Sequence, residues 1–338
     1  MPKTARFILF VSFAVLYITL APVLIIYSMG YSFDFKNWRL TATGGFYLET
    51  WPQEVDILVN GVQKNKTGFF SHQSLIQGLA PLEYILSAEK DGYYSWQKKL
   101  GVFDNQITRL ANITLIKKEI AFEKIGEDIG AFTVSPSGSS LFLQNGQEKM
   151  IDNKLFSLNK NLDIVFWDEK NKNILFESEN TYLLADYENE VILKDTEYVA
   201  HEDSPIFFSE GKIFDLKGGE LYPANGIVFS PDNSKFLFWT DSEIYYAQSS
   251  NPTERILLHK LSQKIGSCFW LNNYYIIFNI GPSIKISEID DRDIINIVSL
   301  DNFKGEIEMY FQNTDKKLYV LINKELFVSE PLTDKNNK

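Results

Sequence analysis

Phe229-Ser230-Pro231-Asp232-Asn233-Ser234-Lys235-Phe236-Leu237-Phe238 reads as the end of one strand, a tight turn and the start of the next. Proline at the first central position of a type I turn pre-sets φ, and Asp-Asn completes the turn by bonding its own backbone. The template recurs along the chain. Val134-Ser135-Pro136-Ser137-Gly138 stands ahead of Leu141-Phe142-Leu143, and Phe166-Trp167-Asp168-Glu169 ahead of Ile174-Leu175-Phe176. Val199 precedes Ile206-Phe207-Phe208, Phe269 precedes Ile276-Ile277-Phe278, and Phe311 precedes Leu318-Tyr319-Val320.

These anchors fall at 134, 166, 199, 229, 269 and 311, intervals of about 30 to 42 residues. A period near ~40 with a strand-turn-strand core is what one four-stranded blade requires. A further strand follows most cores, such as Glu243-Ile244-Tyr245-Tyr246 or Lys324-Glu325-Leu326-Phe327-Val328. The expected fold of 119–332 is therefore a β-propeller, six blades favoured, with five to seven open because the early repeats are short. Ala121-Phe122-Glu123-Lys124 is placed to supply the strand the last repeat lacks and so close the ring. An irregular sandwich is the competing arrangement. The turn motif itself (Ser135, Pro136, Ser230, Pro231, Asp232) resembles the Phe-Ser-Pro-Asp-Gly turn of TolB-like and WD40-like propeller repeats. That resemblance implies six blades and a binding face.

Upstream, residues 44–118 alternate in short runs between turn signals. Val55-Asp56-Ile57-Leu58-Val59 ends at Asn60-Gly61, and Tyr84-Ile85-Leu86-Ser87-Ala88-Glu89 runs into Asp91-Gly92. Both dipeptides tolerate positive φ and favour two-residue hairpins, so a small antiparallel β-sandwich is expected. The order Pro52-Gln53-Glu54-Val55, Asn60-Gly61, Lys66-Thr67, Leu79-Ala80-Pro81-Leu82-Glu83-Tyr84 and Asp91-Gly92-Tyr93 resembles the PEGA domain family. The naming tetrapeptide is degraded, and Pro81-Leu82 stands where the family has Pro-Gly. The resemblance implies a bacterial envelope-side binding or spacing module without a fixed active site. Gly30-Tyr31-Ser32-Phe33-Asp34-Phe35 also looks like the linker of membrane-anchored PEGA proteins.

Phe7 to Tyr27, FILFVSFAVLYITLAPVLIIY, carries no charge. About 20 apolar residues span the roughly 30 Å hydrocarbon core as a helix. The expected layout is a cytoplasmic tail at 1–6, a transmembrane anchor at 7–29 and a linker at 30–43. Lys3 and Arg6 place the amino terminus in the cytoplasm and the bulk outside a plasma membrane, against Lys36 and Arg39 on the far side. Ser28-Met29-Gly30 keeps a cleaved signal peptide open as the alternative. A disordered tail is expected at 333–338.

The net charge of −11 opposes nucleic acid and anionic lipid as main partners of the 338-residue chain. One cysteine, Cys268, allows no internal disulfide; within Cys268-Phe269-Trp270-Leu271 it reads as buried. His72, His201 and His259 stand apart among polar neighbours, without zinc spacing, and read as solvated. Neither a Gly-x-Ser-x-Gly elbow nor a nucleotide-cradling glycine loop occurs. Asp290-Asp291-Arg292-Asp293 lacks the glycine and closing glutamate of a calcium loop and reads as an acidic hairpin tip. No catalytic, cofactor or metal residue is assigned. The aromatic pairs Phe166-Trp167, Phe238-Trp239, Tyr245-Tyr246 and Phe269-Trp270 read as packing between blades. Trp51 and Trp96, at strand ends, are candidates for an exposed contact patch.

The sequence thus reads as an all-β protein with one N-terminal transmembrane helix, a non-catalytic envelope scaffold whose partner is a protein or a wall polysaccharide. An envelope glycan lyase or hydrolase with its site in the propeller channel is the alternative.

Overall fold

The computed structural model describes residues 3–28, 30–34, 38–135, 138–145, 148–151, 154–155, 163–168, 173–178, 181–186, 191–196, 206–209, 211–215, 220–300 and 303–333. The chain divides into two compact units, Met1–Leu115 and Ile116–Lys338.

In the first unit α1 (Lys3–Ser28) is one continuous helix with Pro22 inside it. Its Arg6–Ser28 portion is long and apolar enough to cross a membrane, and none of that apolar window is buried. The helix includes Lys3 to Arg6, so the described part of the segment expected as a tail is helical. Two short strands, β1 (Tyr31–Asp34) and β2 (Arg39–Ala42), pair as a hairpin within the expected linker.

The rest of this unit comprises β3 (Gly44–Trp51), β4 (Asp56–Val59), β5 (Val62–Lys66), β6 (Gln73–Leu79), β7 (Glu83–Glu89), β8 (Trp96–Gly101) and β9 (Ile107–Thr114). They form two sheets, β6-β3-β9 and β5-β4-β7-β8. Phe46, Leu48 and Leu110 from the first sheet and Ile57, Leu86 and Ala88 from the second share one buried cluster, as alternation along half-buried strands requires. The Asn60-Gly61 turn joins β4 to β5, with φ of 50° and 76°.

Not every pair is antiparallel: β3 and β9 run parallel, Gly45 opposite Ile107 and Leu48 opposite Leu110. A turn dipeptide reveals only pairs of consecutive strands. β9 joins β3 after the whole of the other sheet, a crossover that leaves no local signature.

The second unit holds six sheets among the described residues. It begins with β10 (Phe122–Gly126), followed by β11 (Ala131–Val134), β12 (Leu141–Asn145), β13 (Glu148–Ile151) and β14 (Lys154–Leu155) as one antiparallel meander. A second meander contains β15 (Asp163–Asp168), β16 (Asn173–Ser178), β17 (Thr181–Asp186) and β18 (Val191–Thr196). The third contains β19 (Ile206–Ser209), β20 (Lys212–Asp215) and β21 (Glu220–Pro223). The fourth runs β22 (Gly226–Phe229), β23 (Lys235–Trp239), β24 (Glu243–Gln248), β25 (Asn251–Lys260), and the fifth β26 (Ile265–Trp270), β27 (Tyr275–Ile280), β28 (Ser283–Glu288), β29 (Ile297–Leu300).

The sixth sheet has the order β10-β32-β31-β30, from β30 (Glu308–Gln312), β31 (Lys317–Ile322) and β32 (Glu325–Ser329). Its fourth strand is thus the first strand of the unit, with Phe122 opposite Ser329 and Lys124 opposite Phe327.

Five of the six expected strand-turn-strand cores coincide with the first two strands of a sheet. The third does not. Ile206-Phe207-Phe208, expected as a second strand, is the first described strand of its sheet, and Val199 lies outside the described residues.

Cores form between successive sheets. Ile213 and Ala224 of the third unite with Phe236, Phe238 and Tyr245 of the fourth. Leu237, Trp239 and Tyr246 of the fourth unite with Cys268, Trp270 and Phe278 of the fifth. Tyr319, Leu321 and Leu326 of the sixth unite with Phe132, Val134 and Leu143 of the first. β22 lies against β26, β26 against β30, and β30 against β11, so the leading strands stand side by side.

Candidate functional site

The turns between first and second strands carry the motif read from the sequence, and they build a face. At Ser230 the backbone N–H donates to the Lys235 carbonyl at 2.8 Å, and Lys235 N donates back to Ser230 Oγ at 3.0 Å. The Asp232 carboxylate accepts from Ser230 Oγ (2.7 Å), Ser234 N (3.0 Å) and Ser234 Oγ (2.8 Å). Partial burial alone would raise its pKa, but these bonds and nearby Lys235 outweigh burial and hold it below the ordinary carboxylate value. Asn233 takes the left-handed conformation at φ 56°.

Ser135 repeats this geometry. Its N–H donates to Ser140 O at 2.9 Å, Ser140 N donates to Ser135 Oγ at 3.0 Å, and Gly138 takes φ 77°. Pro136 lies outside the described residues. The fifth turn reaches the same shape with other residues: Asn272 Oδ1 accepts from Tyr274 N and Tyr275 N, both at 2.8 Å.

What the motif could not announce is that these turns are tied to one another. Asp232 N donates to Asn273 Oδ1 at 3.1 Å, from the fourth turn to the fifth. Lys316 Nζ, in the sixth turn, donates to the fifth-turn carbonyl of Leu271 at 3.1 Å and to Asn313 Oδ1 beside it. Gln312 Nε2 donates to the carbonyl of Ser135 in the first turn. Trp270 Nε1 adds a bond to Val228 O at 2.9 Å. The only signal in the sequence is a polar residue recurring near the end of the first strand, at Ser135, Ser230, Asn272 and Gln312. Beside these bonds Lys235 Nζ lies over the rings of Trp270 and Tyr274, at 5.9 and 5.7 Å, with Tyr274 exposed.

The aromatic pairs read as packing are largely that: Phe238, Trp239, Tyr245, Tyr246 and Trp270 are buried between sheets, and the Phe269 ring meets Tyr310 at 5.4 Å. The side chains of Phe166 and Trp167 lie outside the described residues.

Trp96, expected near an exposed contact, is 3% exposed and belongs to the core of the first unit. It opens β8, whose inward positions Trp96, Lys98 and Leu100 alternate with exposed ones, so its register turns it inside. Trp51 is half-buried and stacks on His72, with ring centroids 3.7 Å apart. His72 is not simply solvated: Nδ1 lies 2.9 Å from Thr50 O and Nε2 lies 3.1 Å from the Gln53 amide. The adjacent Phe69–Phe70 pair is exposed, a patch the sequence reading missed.

His259 is also held: Nε2 lies 2.8 Å from Ser287 Oγ. The pair is no nucleophile site. Ser287 is wholly buried, and its hydroxyl donates to the Glu288 carbonyl at 2.9 Å. Its oxygen therefore accepts from the imidazole, the reverse of a general base's role. His201 lies outside the described residues. Asp290, read as part of a solvated tip, binds Arg292 through Nη2–Oδ2 at 2.5 Å. No cluster of metal-ligating side chains occurs among the described residues.

No protein-family model and no curated protein matches the sequence. Among solved structures the chain is similar to the β-propeller domain of Cps50 (Swd1) from Myceliophteria thermophila, 11% identical, over 62% of this chain and 99% of that one, at TM-score 0.47. It is similar to Kluyveromyces lactis Hsv2, 12% identical over 63% and 76% of the two chains at TM-score 0.38. It is similar also to the C-terminal WD40 domain of Sif2, 12% identical over 85% and 81% at TM-score 0.36.

Proposed function

We propose that the chain is a membrane-anchored, non-catalytic scaffold that holds a six-bladed propeller outside the cytoplasm for a protein partner. The Arg6–Ser28 helix is its anchor, entered from the cytoplasmic side where Lys3 and Arg6 stand. The two-sheet first unit is the PEGA-like spacer, and the six sheets are the blades.

The observation that carries this reading is the pairing of β10 with β32. A strand from the start of the unit completes the last sheet as its outermost strand, which ties the beginning of the unit to its end. Packing of the sixth sheet on the first supports the same closure. A closed ring whose turns bond to one another is rigid, and rigid turns with exposed polar and aromatic groups suit recognition more than chemistry. Asp232, Asn273 and Tyr274 form the part of that face on which a partner would rest.

The test is a photo-crosslinking residue at Tyr274, on this face, and at Asp241, at the opposite ends of the strands, in intact cells. A discrete protein adduct from Tyr274, absent from Asp241 and lost with Lys235→Glu, is expected. A wall-polymer adduct, or equal yield from both positions, overturns a protein partner.

A second reading, an envelope glycan hydrolase or lyase acting in the channel, draws on Glu308. This carboxyl is exposed at the start of β30, one of the leading strands that stand side by side, and partial desolvation there raises its pKa. Glycan cleavage by the purified chain, abolished in Glu308→Gln, would establish it.

A further inference from the structure

The end of the first unit from which the helix leaves is apolar on its outside. Gly30 N donates to Tyr27 O at 3.1 Å, and the Gly30 φ of 80° turns the chain out of the helix. The Gly30 carbonyl then accepts both the N–H and the hydroxyl of Thr43, at 2.7 and 2.8 Å. Asn105 N donates to Thr43 O at 3.0 Å, which brings the loop between β8 and β9 to the helix exit. Val102 N donates to Leu82 O at 2.9 Å and adds the turn between β6 and β7. Helix exit, hairpin and both loops are thus one hydrogen-bonded assembly.

Exposed on this assembly are Trp38 (80%), Leu82 (62%), Phe103 (58%) and Leu40 (50%). Phe33 meets Trp38 edge-on at 5.9 Å, so the hairpin carries an aromatic pair with Arg39 exposed beside it. Large apolar side chains gathered at one end are costly in water, at about 25 cal/mol for each Å² left wet. A spanning helix leaves its ends in the headgroup layer, where tryptophan is favoured and arginine meets lipid phosphates.

We propose that Trp38, Leu40, Leu82 and Phe103 make a second, interfacial contact with the bilayer that the helix crosses, seating the first unit against the lipid headgroups. The proposal rests on the reading of the helix as an anchor. Its occupant is the lipid surface because these side chains belong to the same bonded assembly as the helix end, and a bilayer is the one partner that a spanning helix brings there. The chain's net negative charge does not oppose it, since apolar insertion beside a spanning helix needs no basic field.

The experiment places an environment-sensitive fluorophore on single cysteines in the full chain, reconstituted in vesicles of phosphatidylethanolamine and phosphatidylglycerol. Positions are Trp38→Cys, Phe103→Cys, Phe70→Cys at the far end of the sandwich, and Ile18→Cys within the helix. Cys268 is wholly buried and stays unlabelled. Lipids bearing a quencher high on the acyl chain are expected to remove most emission from positions 38 and 103, and iodide in the water to leave it intact. Position 70 should show the reverse, and position 18 should respond to a quencher near the chain end. Quenching at 18 with iodide-sensitive labels at 38 and 103 overturns the interfacial contact and leaves the anchor standing. No lipid quenching at 18 overturns the anchor, and the contact with it.

Discussion

Lys316 Nζ donates to the main-chain carbonyl of Leu271 at 3.1 Å, joining turns from two different sheets through a lysine that is 3% exposed. Burial lowers its pKa from 10.5 to about 8. The folded state disfavours the charged amine, whereas the unfolded chain still binds the proton up to 10.5. Stability should therefore rise as pH climbs from about 8 to 10.5, by up to roughly 3 kcal/mol. Lys316→Met should flatten that rise in urea melts and, near neutral pH, lose about 1–3 kcal/mol by leaving buried acceptors unpaired.

Closure of the sixth sheet is testable by covalent means. Glu123 and Val328 are register partners across β10 and β32. Glu123→Cys with Val328→Cys should form a bridge on oxidation and raise the unfolding temperature. The chain-entropy limit is on the order of 5 kcal/mol for so long a loop, and strain reduces what is realised. Failure to bridge in the folded protein would mean that the two strands do not pair.

Gly45 and Gly61 should respond differently to alanine. A Cβ on Gly45 would stand 2.1 Å from the Ile76 carbonyl oxygen, a backbone atom that cannot swing aside. Gly61 meets nothing within 4 Å but has φ 76°. Gly61→Ala should cost about 1–2 kcal/mol through backbone strain. Gly45→Ala should cost more, about 3 kcal/mol, by forcing β3 and β6 apart, read by thermal unfolding.

His259 gives an acid-side signature. Burial lowers its pKa below the ordinary 6.5, so the unfolded chain takes up a proton first as pH falls. The imidazole's contribution is intact above that value and is lost progressively below it. His259→Gln, which keeps a donor for Ser287, should remove this part of the acid-side loss of stability in melts stepped downward from neutral pH.

The parts legible in the sequence are those written within a few residues. Ser230 to Lys235 encodes its turn because every bond in it is local, and the same holds for Asn60-Gly61. The parts that were not legible depend on distant chain. β6 escaped notice because its inward positions include Ser74, while Leu75 faces water, so its hydrophobic pattern points the wrong way. Trp96 was misread because residue type does not tell which face of a strand it takes. The bonds from Lys316 to Leu271 and from Gln312 to Ser135 join residues whose proximity exists only once the sheets have assembled.

The strand Phe122–Gly126 leaves the ribosome long before its partner Glu325–Ser329 exists. Until that partner is made, the early ribbon has no strand to pair with, and the sheets already made have no last neighbour. A chain built this way needs shelter until that partner arrives, and a stop before Ser329 would release a polypeptide fit for aggregation and degradation, not a slightly shortened working protein.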